Sequence, residues 1–101
     1  MVEFPSAVLF ACTMNSVRSP MAEAILKFLH GTHIYVDSVG VRSKEIDGFA
    51  ITVMDEIGID LSLHKAKTFD DLEDNYYDLV ITLSPEAQHR AVEMPRVMAC
   101  T

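Results

Sequence analysis

The chain has 101 residues, 50% hydrophobic and 23% charged, which suits one globular domain with its own core and leaves no room for a second. A net charge of −7 opposes general binding to a nucleic acid backbone, and no apolar run reaches the roughly 20 residues needed to span a bilayer. The start lacks a signal-peptide pattern, and the two cysteines, Cys12 and Cys100, suit neither a disulfide framework nor a zinc cluster, so a reduced, cytoplasmic compartment with no metal and no cofactor is expected.

Ala7-Val8-Leu9-Phe10-Ala11 is short, continuous and apolar, the pattern of a strand buried on both faces. A polar segment, 12–19, follows, and Pro20 falls in the first turn of a helix, where its missing amide costs nothing. Beyond it Met21, Ile25, Phe28 and Leu29 recur at helical spacing until Gly31. Residues 33–39 read as a second strand, and Gly40 begins a polar loop that ends near Asp47. The next helix has an apolar stripe of Ile46, Phe49, Ala50, Val53 and Ile57, with Gly58 placed to cap it. Thr68, with Asp71 three residues on, starts a short acidic helix through Glu73. Residues 78–83 form a third buried strand, Ser84 and Pro85 open a helix that Pro95 must end, and 97–100 reads as a fourth strand. Strands alternating with helices imply parallel pairing in a three-layer α/β fold. With Thr101 directly after the fourth strand, one sheet face is expected to lack a covering helix.

The chemistry is concentrated in Cys12-Thr13-Met14-Asn15-Ser16-Val17-Arg18-Ser19, which runs from a strand end to a helix start. Such a loop can curl around a tetrahedral anion, with the backbone amides of Thr13, Met14, Asn15, Ser16, Val17 and Arg18 pointing inward and the helix N-terminus adding partial positive charge. Arg18 can close the ring with a two-pronged hydrogen bond. Cys12 at the base feels the same amides, dipole and guanidinium, which favour thiolate over thiol. A thiolate facing bound phosphate can attack phosphorus and form a cysteinyl-phosphate while Arg18 and the amides stabilise the equatorial oxygens. Ser19 can donate a hydrogen bond to the departing sulfur. Asn15 tolerates left-handed backbone angles, which suits it to holding the loop in shape.

Val8-Leu9-Phe10 leading into Cys12, then Asn15 and Arg18-Ser19-Pro20-Met21-Ala22-Glu23, resembles the N-terminal signature of the low-molecular-weight protein tyrosine phosphatases. Asp37-Ser38 with Gly40, Gly58-Ile59-Asp60-Leu61-Ser62 and Asp78-Leu79-Val80-Ile81 resemble later segments of that family, so the similarity covers nearly the whole chain. The resemblance implies a phosphatase I, flavodoxin-like fold with a four-stranded parallel sheet of order 2-1-3-4, here without its last helix. It also implies that Ser38 hydrogen-bonds to Asn15 beneath the loop, and that the chain hydrolyses phosphomonoesters on proteins or small molecules through a cysteinyl-phosphate.

Several positions depart from that family's pattern. Met14 stands where glycine is usual, and Val17 replaces a second cysteine that guards the nucleophile. Aligned on Gly58-Ile59, the family's loop-supporting histidine falls at Leu63, and His64, beside Lys65 and Lys67, reads as a surface residue. The loop ending at Asp47 has no aromatic wall for phosphotyrosine, though Arg42 and Lys44 suit a polar ester. The family's general acid is an Asp-Pro pair, and none occurs in this chain. Its loss costs roughly 10²–10⁴-fold in rate, so weak activity, on activated aryl phosphates above all, is expected. An uncovered apolar face points to a homodimer or a marginal monomer. Two other functions stay open. Arsenate reductases share the fold and loop but pass a disulfide through further cysteines, and Leu83-Ser84-Pro85 holds none, Cys100 reading instead as a buried strand residue. A non-catalytic phosphoanion-binding module would keep the loop alone.

Overall fold

The computed structural model describes residues 5–72 and 77–92. Strands β1 (Ala7–Cys12), β2 (Tyr35–Gly40) and β3 (Leu79–Thr82) form a parallel sheet in the order β2-β1-β3, with β1 in the centre and every one of its residues buried. Register runs from Ala7 opposite Tyr35 to Cys12 opposite Gly40, and from Val8 opposite Leu79 to Ala11 opposite Thr82. The expected fourth strand at 97–100, the helix end at Pro95 and the placement of Cys100 lie outside the described residues. The order seen is therefore 2-1-3.

Helices α1 (Arg18–His30), α2 (Gly48–Glu56) and α3 (Pro85–Val92) supply the outer layers. The alternation of β1 decides which helix meets which face. Leu9 and Ala11 pack with Val39, Val80, Ala87 and Ala91 on the α3 side, whereas Val8 and Phe10 pack with Val36, Ala22 and Leu26 on the α1 side. A third cluster joins α2 to α1 through Ala50, Met54, Leu61, Met21 and Ala24. Among the described residues no helix is long and apolar enough to cross a membrane.

Helix faces depart from the expected stripes. In α1 the sheet takes Ala22 and Leu26, while Ile25, Leu29 and Phe28, the last 68% exposed, face outward. Glu23 lies on the buried side, where Ser38 and Lys27 bind its carboxylate. In α2 the buried pair is Ala50 and Met54, and Phe49 (84% exposed), Val53 and Ile57 lie outside. Apolar residues ring more than one face of this helix, so the returning segment at Ile59 and Leu61 selects the face. Asp47 caps α2 by accepting from the amides of Phe49 and Ala50, and Gly58 takes the left-handed φ of 80° that ends it. The Thr68 to Asp71 start forms as expected, Asp71 accepting from the Thr68 amide at 2.9 Å, but only a single 3-10 turn follows (Phe69–Asp71). Glu73 lies outside the described residues.

Candidate oxyanion site

Loop 12–18 leaves the central strand and enters α1, and the neighbouring segment after β2 dictates how its peptides are turned. Val41, Arg42, Lys44 and Asp47 donate their amides to the carbonyls of Cys12, Thr13, Met14 and Ser16, at 3.1, 2.8, 3.1 and 2.9 Å. A peptide N–H points opposite to its own C=O, so tying these carbonyls outward turns the amides of Thr13, Met14, Asn15 and Val17 inward. The result is a cavity of about 330 Å³ lined by Cys12, Thr13, Met14, Ser16, Val17 and Arg18. No side chain caps the start of α1 at Val17, so the helix's first amides add their positive end to the same space. Gly40 makes the close packing of loop and sheet possible. A Cβ there would lie 2.4 Å from the Arg42 carbonyl oxygen and 2.7 Å from the Asn15 nitrogen.

Cys12 is buried at the cavity base. Its Sγ accepts from the Asn15 amide at 3.2 Å and lies 2.8 Å from Ser19 Oγ. Ser19 Oγ itself accepts from Asn15 Nδ2 at 2.8 Å, which leaves its own proton for the sulfur or for the more distant Val39 carbonyl at 3.4 Å. Arg18 donates from its guanidinium to the Leu83 carbonyl at 2.9 Å, which ties the loop's arginine to the end of β3.

The Asn15 side chain, in contrast to its amide, points away from the cavity. The residue is fully buried, has φ 54°, and lines no part of the cavity. Nδ2 donates to Ser19 and, at 3.0 Å, to Ser38 Oγ, while Oδ1 accepts from the Lys67 amide at 2.9 Å. His64 Nε2 lies 3.1 Å from the same Oδ1. Because Oδ1 offers only lone pairs, Nε2 must carry the proton there. His64 is thus not the surface residue its charged neighbours suggested. The turn in which Asp60 binds the amide and hydroxyl of Ser62 leaves Leu63 85% exposed and brings His64, one residue later, under the loop. Burial pushes the His64 pKa below its ordinary value, and Lys67 and Lys27 act in the same direction, outweighing the opposing pull of Glu23 and of the hydrogen bond with Asn15. Beneath this, Ser38 Oγ donates to Glu23, Asp37 accepts from the Ser38 amide and Tyr77, and Lys67 Nζ pairs with Asp37.

Glu23, Asp37, Lys67 and Gly40 were not singled out as site residues by their sequence context, although Glu23, Asp37 and Gly40 stood inside the quoted motifs. Arg42 does not stand free as a substrate cation. It pairs with Glu86 at 3.1 Å.

The class of fold is thus an α/β sheet whose central strand ends on a buried cysteine facing a cavity lined by the following loop, with Arg18 of the helix start on the same lining. Residues 7–100 match the family described as low molecular weight phosphotyrosine protein phosphatase, and the chain belongs to that family. Among curated relatives, the Glutaredoxin arsenate reductase of Synechocystis is 40% identical over 76 residues, covering 75% of this chain and 58% of the relative. Arsenate reductase 2 of Staphylococcus haemolyticus is 38% identical over 88 residues, covering 87% and 67%. The chain thus spans about three fifths to two thirds of the length of these two. A solved arsenate reductase in its phosphate binding state superposes with a TM-score of 0.74 at 32% identity, covering 95% of this chain and 75% of that one. The tyrosine phosphatase AmsI of Erwinia amylovora, at 23% identity, TM-score 0.75 and coverage of 95% and 68%, shares the fold.

Proposed function

We propose that this member of the family acts on a tetrahedral oxyanion through attack by Cys12, with Arg18 and the loop amides holding the oxyanion and Ser19 hydrogen-bonded to the sulfur. The observation that supports this reading is the placement of Cys12 Sγ, 3.2 Å from the Asn15 amide and 2.8 Å from Ser19 Oγ, at the base of the 330 Å³ cavity. Preorganised donors of this kind stabilise charge that develops during attack without reorganising.

Two oxyanions fit that step, and the relatives' names favour arsenate over the phosphate ester that the residues alone suggest. With arsenate, Cys12 forms an S–As bond as hydroxide leaves. A second thiolate then attacks Cys12 Sγ, the electron pair of the S–As bond reduces arsenic to arsenite, and a disulfide remains. Cys12 is the one cysteine among the described residues, and the second thiolate is supplied by another cysteine of the protein or by a separate thiol. With a phosphomonoester, Cys12 displaces the alcohol, and water then releases phosphate from sulfur. The family description favours this second reading.

The test is a paired assay of the whole protein: arsenite formation from arsenate with glutathione and glutaredoxin or thioredoxin, and hydrolysis of p-nitrophenyl phosphate. Arsenite formation that Cys12→Ser abolishes establishes the first reading, and ester hydrolysis without arsenite formation establishes the second. Phosphate binding with neither turnover would make the chain a binding module and end the catalytic proposal.

A further inference from the structure

A second cavity, about 710 Å³, shares no lining residue with the oxyanion cavity. Its walls include Lys44, Glu45, Ile46, Ile51, His64 and Lys65, so that two ammonium groups face one carboxylate. Ile46 and Ile51 are half-buried and pack on the α2 cluster, so one wall is a fixed apolar surface. Lys44 and Lys65 are exposed, and among the described residues neither makes an ion pair. Two cations beside a fixed apolar wall match a small anion with an apolar body.

The cavity is also wired to the loop. The Lys44 backbone amide donates to the Met14 carbonyl at 3.1 Å, and His64, in the cavity wall, donates from Nε2 to Asn15 Oδ1 at 3.1 Å. Asn15 in turn donates its amide to Cys12 Sγ and its Nδ2 to Ser19. A ligand resting against the His64 ring is therefore two hydrogen bonds from the sulfur.

We infer that this cavity is a second ligand site, which takes a small organic anion, its acid group held by Lys44 and Lys65 and its apolar body against Ile46 and Ile51, and that occupancy alters the reactivity of Cys12 through His64 and Asn15. It does not depend on which oxyanion the loop processes.

The probe is 2-naphthoate, whose planar carboxylate does not mimic a tetrahedral oxyanion. With the oxyanion loop saturated by inorganic phosphate, 2-naphthoate is expected to shift the His64 imidazole proton resonances saturably, those resonances being assigned by their loss in His64→Gln. The double variant Lys44→Glu/Lys65→Glu, at two exposed positions, is expected to bind about tenfold more weakly. Phe49→Ser should bind as the parent does. Without phosphate, the probe is expected to change the rate at which iodoacetamide alkylates Cys12. Unshifted His64 resonances, equal affinity in the charge-reversed variant, or displacement by phosphate would overturn the site. Weaker binding in Phe49→Ser would move the probe to the exposed face of α2 and overturn it too. Saturable binding with an unchanged alkylation rate would overturn the coupling.

Discussion

Replacing Asn15 by alanine removes both halves of what this residue does. The side chain is fully buried and makes contacts to Ser19, Ser38, the Lys67 amide and His64, and the backbone holds φ 54°. Ser19 and Ser38 keep other partners, Cys12 and Val39 for one and Glu23 for the other, so their loss is small. The Lys67 amide and His64 Nε2 lose their acceptor, at about 1–2 kcal/mol each for a buried unpaired donor. Alanine in the left-handed region adds roughly 1–2 kcal/mol. The expected cost of Asn15→Ala is thus about 3–6 kcal/mol in urea unfolding, a large share of the roughly 5–15 kcal/mol typical of a domain. Asn15→Gly accepts the same φ without strain, so it should recover about 1 kcal/mol of that loss while leaving the polar groups unpaired. Alkylation of Cys12 should lose protection by phosphate in both variants, because the amide that meets the sulfur is no longer held in place. A cost below about 1 kcal/mol for Asn15→Ala, or equal stability of the alanine and glycine forms, would refute this division of the energy.

Three further outcomes follow from the same geometry. Gly40→Ala should cost roughly 1–3 kcal/mol and slow Cys12 alkylation, since the new methyl meets backbone of both the loop and Arg42; urea unfolding and alkylation kinetics check the pair of effects. Because burial lowers the His64 pKa, the unfolded chain takes up the proton at a higher pH than the folded one. The His64 contribution to stability is therefore complete above the unfolded value of about 6.5 and is lost as pH falls from there toward the lowered folded pKa. Unfolding measured across that window should show this slope in the parent and lack it in His64→Gln. Arg42→Ala, which removes an exposed ion pair with Glu86, should change stability by less than about 1 kcal/mol in thermal unfolding.

Strand positions and the loop were legible because their signals are local. A continuous apolar run marks β1, a left-handed residue within the loop calls for asparagine, and Ser84 before Pro85 marks the start of α3, where Ser84 Oγ accepts from the Ala87 amide. The helix faces and the support beneath the loop were not legible, because they depend on contacts distant in sequence. Glu23 was quoted only as part of a motif, because its partner Ser38 lies fifteen positions on and meets it beneath the loop. His64 was set aside because counting from Gly58 ran one residue short of the turn that Asp60 and Ser62 build. The phosphatase reading came from motifs that both branches of the family share, so residue patterns near Cys12 had no means of separating phosphate ester from arsenate, and the relatives' names shifted the balance.

The most direct test of an oxyanion-binding nucleophile at Cys12 is its alkylation by iodoacetamide at neutral pH, followed by peptide mapping, in the folded chain and in the same chain unfolded in urea. A nucleophile at the base of an oxyanion loop predicts that phosphate or arsenate slows the reaction at Cys12 in the folded state and leaves it unchanged in the unfolded state. No effect of either anion in the folded state would contradict the assignment.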